Sequence, residues 1–155
     1  MVDADENSMA GYDLERFVIA QDKGDPGTYT SAISELRSGK KRGHWMWYVF
    51  PQIAGLGSSG HNIKYAINST DEARAYLAHP VLGKRLLESA GTVLDVNGKT
   101  ALEIFGEPDR SKLRSSVTLF EQVSEKGSVF GRVLEKYFDG ERDERTIQIL
   151  AKGPG

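Results

Sequence analysis

The sequence contains no cysteine among its 155 residues. Disulfide bonds and zinc sites built on thiolates are therefore excluded. Histidine is also scarce, and the three histidines are too far apart in the sequence to give a metal-binding spacing such as H-x-x-x-H. We therefore predict no metal site and no cofactor.

The chain also lacks a basic excess and any long apolar run. Lys plus Arg total 20 and Asp plus Glu total 22, a formal net charge of −2. Nucleic-acid-binding domains depend on phosphate contacts and are usually basic, so this balance argues against that class. The basic group Arg37–Arg42 is expected to be a solvated helix end. No run approaches the ~20 apolar residues of a membrane helix, and the acidic start differs from a secretory signal, so the expected location is cytoplasmic.

The apolar pattern predicts an all-α fold. Residues 1–12 are polar and acidic and are expected to be a disordered lead-in, and residues 13–152 are expected to form a single domain. Helices are predicted where apolar residues recur at a spacing of three and four. The predicted ranges are 14–21, 28–38, 69–78, 81–94, 100–105, 109–124, 129–138 and 143–150. These seven or eight short helices indicate a compact array rather than a bundle of long helices.

Polar residues at several helix starts predict N-terminal caps. Asp13, Asp109 and Asp143 are each placed to accept hydrogen bonds from a first helical turn. Ser69 and Glu72 have the spacing of a reciprocal capping box. His79 precedes a proline at a helix junction and is interpreted as a structural cap.

The stretch from residue 45 to residue 60 is the uncertain part of the fold. HWMWYVFPQ is rich in aromatic and β-branched residues but lacks period-2 alternation, so a strand and a short buried helix ended by Pro51 are equally compatible with it. The following IAGLGSSGHN is rich in glycine and serine and is expected to be a loop. It is neither a dinucleotide fingerprint in a strand–turn–helix setting nor a P-loop.

Three segments carry a family resemblance that extends over essentially residues 13–150: GKKRGHWMWYVFPQIAGLGSSGHNIKYAI, EARAYLAHPVLGKRL and IFGEPDRSKLRSSVTLF. They resemble the family called domain of unknown function 1810, some members of which carry the label calpastatin. The resemblance implies a small, mainly helical bacterial domain without an assigned function. Val117 stands where the family pattern has methionine, a change that affects packing only. True calpastatin segments are long disordered repeats, whereas this chain is short, aromatic and amphipathic, so we set that label aside.

The first group of candidate ligand-binding residues surrounds the two tryptophans. Tryptophan offers a flat apolar face with one polar handle, and glutamine can both donate and accept hydrogen bonds. Beside a glycine-rich loop, such residues are typical of a pocket for a planar ring. The alternative is that the aromatic residues belong to the core. The candidates are His44, Trp45, Trp47, Gln52 and Ser59.

The second group lies near the start of a predicted helix. Lys112 and Ser115 share one helical face, where they could bind a phosphate group, and Arg114 shares another face with Thr118. The alternative is a salt-bridged solvent face combined with a helix–helix contact through small serines. No catalytic residue is assigned, because no nucleophile is accompanied by a base in a recognisable pattern.

Two functional hypotheses follow from these groups. In the first, the domain is a monomer that binds a nucleotide-like or phosphorylated small molecule, with the aromatic group holding the ring and Lys112 and Arg114 holding the phosphate. This hypothesis covers a binding protein and an enzyme alike. In the second, the exposed part of the aromatic run is a docking patch for a protein partner. The first hypothesis requires the two groups to meet in space.

Overall fold

The computed structural model describes residues 12–152, and the described part of the chain is an array of ten helices. The all-α prediction is confirmed. Residues 1–11 of the predicted lead-in lie outside the described part of the chain. The helices are α1 (Glu15–Asp22), α2 (Thr28–Arg37), α3 (Met46–Val49), α4 (Gly60–Lys64), α5 (Thr70–Ala78), α6 (Leu82–Asp95), α7 (Ala101–Phe105), α8 (Asp109–Glu121), α9 (Val129–Phe138) and α10 (Glu144–Lys152).

The uncertain stretch contains two short helices that complete the array. Helix α3 is one turn long and ends just before Pro51, which favours the helical alternative over the strand. Helix α4 lies where a loop was predicted through Asn62. The Ser59 hydroxyl caps this helix, since it accepts a hydrogen bond from the Asn62 backbone N–H at 3.1 Å. The glycine-rich composition of the segment had favoured the prediction of a loop.

The segment that follows α3 and contains α4 is closed at its base by a backbone bridge. Ile53 and Ile67 pair in parallel. The Ile67 N–H donates to the Gln52 carbonyl, and the Ala54 N–H donates to the Ile67 carbonyl, both at 2.8 Å. We call residues 54–66 the clasped loop, because these two hydrogen bonds hold its ends together.

Helix α8 is the centre of the fold. It packs against α3, α5, α7, α9 and α10, and every residue of the run Ser115–Phe120 is buried. Leu113, Val117 and Phe120 form its buried apolar stripe. Ser116 and Thr118 are also buried, so that part of the helix is a helix–helix contact rather than a solvent face. A buried helix surface accommodates small polar side chains because they allow close approach of neighbouring helices.

The predicted caps agree with the structure in part. The Asp143 carboxylate accepts from the Thr146 N–H at 2.9 Å, and His79 Nδ1 accepts from the N–H groups of Val81 and Leu82 at 3.1 and 3.2 Å. Both caps are confirmed. Asp13 was predicted to cap α1, which is wrong: the N-cap of α1 is Leu14, and no side chain caps it.

The predicted capping box is only half formed, and the predicted Asp109 cap is absent. Ser69 accepts from the Glu72 N–H at 3.0 Å, but Glu72 turns to the Asn68 N–H and to Arg16 instead of completing the box. Asp109 is the first residue of α8 rather than its cap, and its carboxylate lies 2.6 Å from Lys41 Nζ. The Ser69 cap is therefore confirmed, whereas the Glu72 and Asp109 carboxylates form ion pairs with residues distant in sequence.

None of the helices within residues 12–152 has the length and apolar character needed to cross a bilayer.

Candidate functional site

An open cleft of about 250 Å³ lies between the clasped loop and the first turns of α8 and α10. Two of the walls of the cleft are formed by segments that are separated by about 50 residues or more of sequence. The lining combines two cations, one carboxylate, two side-chain amides and two serines with a small apolar part. Its residues are Gln52, Leu56, Gly57, Asn62, Pro108, Ser111, Lys112, Ser115, Asp143 and Arg145.

The Gln52 side chain joins the two groups of residues that the sequence separated. Gln52 Nε2 donates to Ser115 Oγ at 2.8 Å. Ser115 Oγ lies 3.0 Å from the Ser111 carbonyl and 3.2 Å from the Lys112 carbonyl, to which it donates. The Gln52 backbone is fixed as well, because its carbonyl belongs to the bridge that closes the clasped loop. The side chain is therefore held from both ends.

Trp47 stands beside the cleft and contacts Lys112. The Lys112 ammonium lies 4.6 Å from the centre of the Trp47 ring, a cation–π distance. The imidazole of His61 lies 4.6 Å from the same ring at an interplanar angle of 34°. Lys112 also approaches Asp109 at 3.9 Å. These contacts hold the lysine near the start of α8.

The glycine-rich part of the clasped loop shapes one wall of the cleft. A Cβ atom added to Gly57 would lie 2.2 Å from Asn62 Nδ2, so only glycine leaves room for the Asn62 amide in its present position. Asn62 belongs to α4, whose start is capped by Ser59. The loop thus places an amide on the cleft wall, and Ser59 acts through the helix cap.

The opposite wall is built from the start of α10. Arg145 Nη2 donates to the Gly55 carbonyl at 3.2 Å, which ties α10 to the clasped loop across 90 residues of sequence. The Asp143 backbone N–H donates to the buried Thr118 hydroxyl at 2.9 Å. Among the ion pairs of residues 12–152, none involves Arg145 or Asp143.

Five of the eight predicted ligand-binding residues do not line the cleft: Trp47 and Ser59, described above, and Trp45, Arg114 and His44. Trp45 is 2% exposed, and its indole N–H donates to Glu35 Oε1 at 2.9 Å. Arg114 donates to the backbone carbonyls at positions 141 and 142, at 2.9 and 3.0 Å. The His44 side chain is exposed and does not line the cleft. Trp45 and Arg114 therefore have contacts that stabilise the fold.

Glu35 explains why Trp45 is oriented inward. Burial raises the pKa of the Glu35 carboxyl, but hydrogen bonds from the N–H groups of Gly43 and Arg42 and from Trp45 outweigh it, and the net pKa is lowered. One carboxylate thus fixes the turn that leads into α3.

Sequence reasoning missed several residues of the cleft. Asn62 and Arg145 belong to no recognisable motif, and Asp143 was assigned only as a cap. No pattern in the sequence indicates that the start of α10 meets the clasped loop, because that contact is purely tertiary.

A second cleft of about 410 Å³ is lined by residues of α1, α4 and α5. Its main charges neutralise one another: Arg16 pairs with the buried Glu72 at 3.1 Å and donates to the carbonyls of Lys64 and Ala66, both at 2.7 Å. This cleft is larger, but Arg16 is fully used by the fold, and Lys64, the other cation of the lining, lies 5.4 Å from the centre of the Tyr65 ring. Within residues 12–152, no group of three His, Asp or Glu side chains is arranged to hold a metal ion.

Comparison with known proteins gives a family and a solved relative. Residues 11–150 match the family described as "Protein of unknown function (DUF1810)". The fold is similar to the crystal structure of the conserved hypothetical protein Rv1873 from Mycobacterium tuberculosis, with 50% sequence identity and a TM-score of 0.87. The match covers 91% of this chain and 98% of that one. No curated protein matches the chain.

Proposed function

Because the chain belongs to the DUF1810 family of proteins of unknown function, we propose its function from the geometry of the cleft: it binds a small phosphorylated molecule between the clasped loop and the starts of α8 and α10. The monomeric state and the cytoplasmic location stay predictions. The proposal concerns binding, and it assigns no reaction.

The observation that carries the proposal is the convergence of Lys112 and Arg145 on one cleft. Each cation lies in the first turn of a helix, α8 and α10 respectively, where the helix dipole also favours an anion. Arginine binds phosphate oxygens through a planar fork, and lysine binds them as a point charge. Hydroxyl and amide groups of Ser111, Asn62 and Gln52 surround the cations and supply neutral hydrogen bonds.

The size of the cleft limits the ligand. Its volume of about 250 Å³ lies just below the ~300–1,000 Å³ of pockets for drug-sized molecules. The ring of Trp47 is already contacted by His61 and Lys112 and does not line the cleft. A phosphorylated compound smaller than a nucleotide therefore fits the cleft better than the nucleotide-like ligand of the original hypothesis. A nucleotide would require its base to stack outside the cleft or to displace His61.

The alternative of a protein-docking patch is weaker, because one of the two tryptophans of the aromatic run is buried. Trp45 is buried, and only Trp47 and Tyr48 of the aromatic residues in this run are partly exposed. The exposed large hydrophobic side chains among the described residues are distributed over different segments of the fold: Ile19, Ile63, Val81, Leu87 and Leu102. We therefore favour the small-molecule proposal.

The test is an NMR titration of the protein with phosphorylated compounds and their unphosphorylated counterparts. We expect binding only when the phosphate is present, and a loss of tenfold or more in affinity in Lys112→Gln and in Arg145→Gln, since each removes a charged hydrogen bond worth about 1.5–3 kcal/mol. Lys84→Gln, an exposed change on α6, is the matched control. Unchanged affinity in both cleft variants would contradict the proposal.

A further inference from the structure

The cleft holds two oriented hydrogen-bond acceptors in addition to its cations, one on Asp143 and one on Gln52. We infer that the site selects phosphate esters that carry hydroxyl groups, and that Asp143 is the residue that determines this specificity. The inference rests on the proposed phosphate site and names the class of ligand that it takes.

Asp143 is fixed so that one carboxylate oxygen remains for a ligand. Oδ2 accepts from both the N–H and the hydroxyl of Thr146, at 2.9 and 2.6 Å. The backbone N–H is held by Thr118. Within residues 12–152, no group donates a hydrogen bond to Oδ1. A carboxylate oxygen accepts about two hydrogen bonds, so this lining residue offers an acceptor that is ready for a donor.

Gln52 offers a second acceptor from another wall. Ser115 directs its hydroxyl hydrogen to the carbonyls of Ser111 and Lys112, so it can only accept from Gln52. Gln52 must therefore present its NH₂ group to Ser115, at 2.8 Å. The amide oxygen Oε1 is then the remaining polar atom of this side chain, and it can only accept.

The charge of the lining explains why a bare phosphate is a poor match. Lys112 and Arg145 face one carboxylate, Asp143, so the lining has an excess of only one positive charge, and Asp109 further offsets Lys112 at 3.9 Å. A phosphate ester without hydroxyl groups would be repelled by Asp143 and would leave both acceptors without donors. Asp143 and Gln52 are half-buried, and a ligand without donors would displace the water that hydrates their acceptors and leave them unpaired, which weakens binding. Hydroxyl groups a few bonds from the phosphorus atom satisfy them.

The test compares glycerol 3-phosphate with propyl phosphate, which has the same charge and carbon number but no hydroxyl groups. In the wild-type protein we expect NMR titration to give at least fivefold tighter binding of glycerol 3-phosphate. In Asp143→Asn, propyl phosphate should bind more tightly because a negative charge is gone, and glycerol 3-phosphate should bind more weakly. The ratio of the two affinities should then fall below about twofold.

Two matched variants make the comparison specific. Asparagine is as good an N-cap as aspartate, so Asp143→Asn should retain the start of α10 and its melting temperature. Asp139→Asn makes the same charge change at an exposed residue with φ +55°, which asparagine adopts readily, and should leave the ratio unchanged. If Asp143→Asn nevertheless fails to fold, Gln52→Met removes the second acceptor and should also lower the ratio.

The outcomes separate this inference from the proposed function. Equal binding of the two esters in the wild type, with the loss in Lys112→Gln still present, would overturn the hydroxyl requirement and leave the phosphate site intact. An unchanged ratio in Asp143→Asn would overturn the role of Asp143. No binding of either ester at millimolar concentration would overturn the phosphate site and the inference together.

Discussion

At the scale of single residues, His79 connects two helices through one ring nitrogen. Its Nδ1 atom accepts from the N–H groups of both Val81 and Leu82 at the start of α6, and a nitrogen can accept only while it is unprotonated. Burial lowers the pKa of the His79 imidazole, and the charge of Glu15 opposes this shift only in part. Protonation of Nδ1 would therefore remove both hydrogen bonds that hold the junction between α5 and α6.

We predict that acid destabilises the protein through His79. The folded-state pKa lies below the unfolded value of about 6.5, so the unfolded chain binds more protons as the pH falls below that value, and the free energy of unfolding decreases. The contribution of one proton cannot exceed about 1.4 kcal/mol per pH unit. Urea unfolding at several pH values between 7.5 and 5.5 measures this change in the free energy of unfolding.

The matched variants are His79→Asn and His44→Asn. Asparagine at position 79 can accept the same N–H groups without titrating, so the pH dependence should become flatter. The exposed His44 has no such role, and its variant should follow the wild type. A pH dependence that persists in His79→Asn would refute the assignment.

At the scale of elements, two glycines of α6 have opposite roles. A Cβ atom on Gly83 would lie 2.0 Å from the Leu77 carbonyl oxygen of α5, whereas one on Gly91 would meet no atom within 4 Å. The first glycine lets two helices approach closely. The second occupies open space and only weakens the helix.

The two substitutions to alanine should therefore change stability in opposite directions. Gly91→Ala should stabilise the protein by about 0.5–1 kcal/mol through helix propensity. Gly83→Ala gains the same propensity but must push α5 and α6 apart, and we expect a net loss on the order of 1–3 kcal/mol. Denaturant unfolding of the two variants measures both effects. Stabilisation by Gly83→Ala would show that the contact is loose.

The elements also show where prediction from sequence ends. Helices with a long apolar stripe, such as α6 and α9, were predicted nearly to the residue because burial and local periodicity agree. Helix α4 has no buried residue, so no apolar signal marks it, and only the Ser59 cap does. Asp109 failed as a cap because the tertiary ion pair with Lys41 decides its position.

The candidate site was predictable only in fragments for the same reason. Gln52, Lys112 and Ser115 stood out because polar residues beside aromatic or small ones need partners. Asn62 and Arg145 gave no signal, since their place in the cleft depends on how α4 and α10 pack. Trp45 and Lys112 are equally prominent in the sequence, yet one is core and the other lines the cleft.

At the scale of the whole molecule, the described helices other than α4 share one core with α8 at its centre. Removing α8 would expose apolar surface on five other helices at once. We therefore predict a single cooperative unfolding transition. Calorimetry should give equal calorimetric and van't Hoff enthalpies, near 110 kcal/mol by the usual ~0.7 kcal/mol per residue.

Tryptophan fluorescence and far-UV circular dichroism provide the accompanying check. Trp45 is the N-cap of α3 and Trp47 lies within it, so their signal reports on the region beside the cleft, whereas circular dichroism reports on all helices. The two melting curves should coincide. An earlier fluorescence transition would mean that the region around the cleft unfolds independently of the α8 core.

The clasped loop has a consequence for how related proteins can diverge. Its ends are joined by two backbone hydrogen bonds at 2.8 Å, which depend on no side chain between them. Substitutions at exposed positions such as Ser58, Gly60 and Ile63 can therefore accumulate while the joined ends keep their places, whereas Leu56 and Tyr65 pack against the core and Gly57 leaves room for Asn62. Changes at these exposed positions would alter the surroundings of one wall of the cleft without disturbing the helices that form the other.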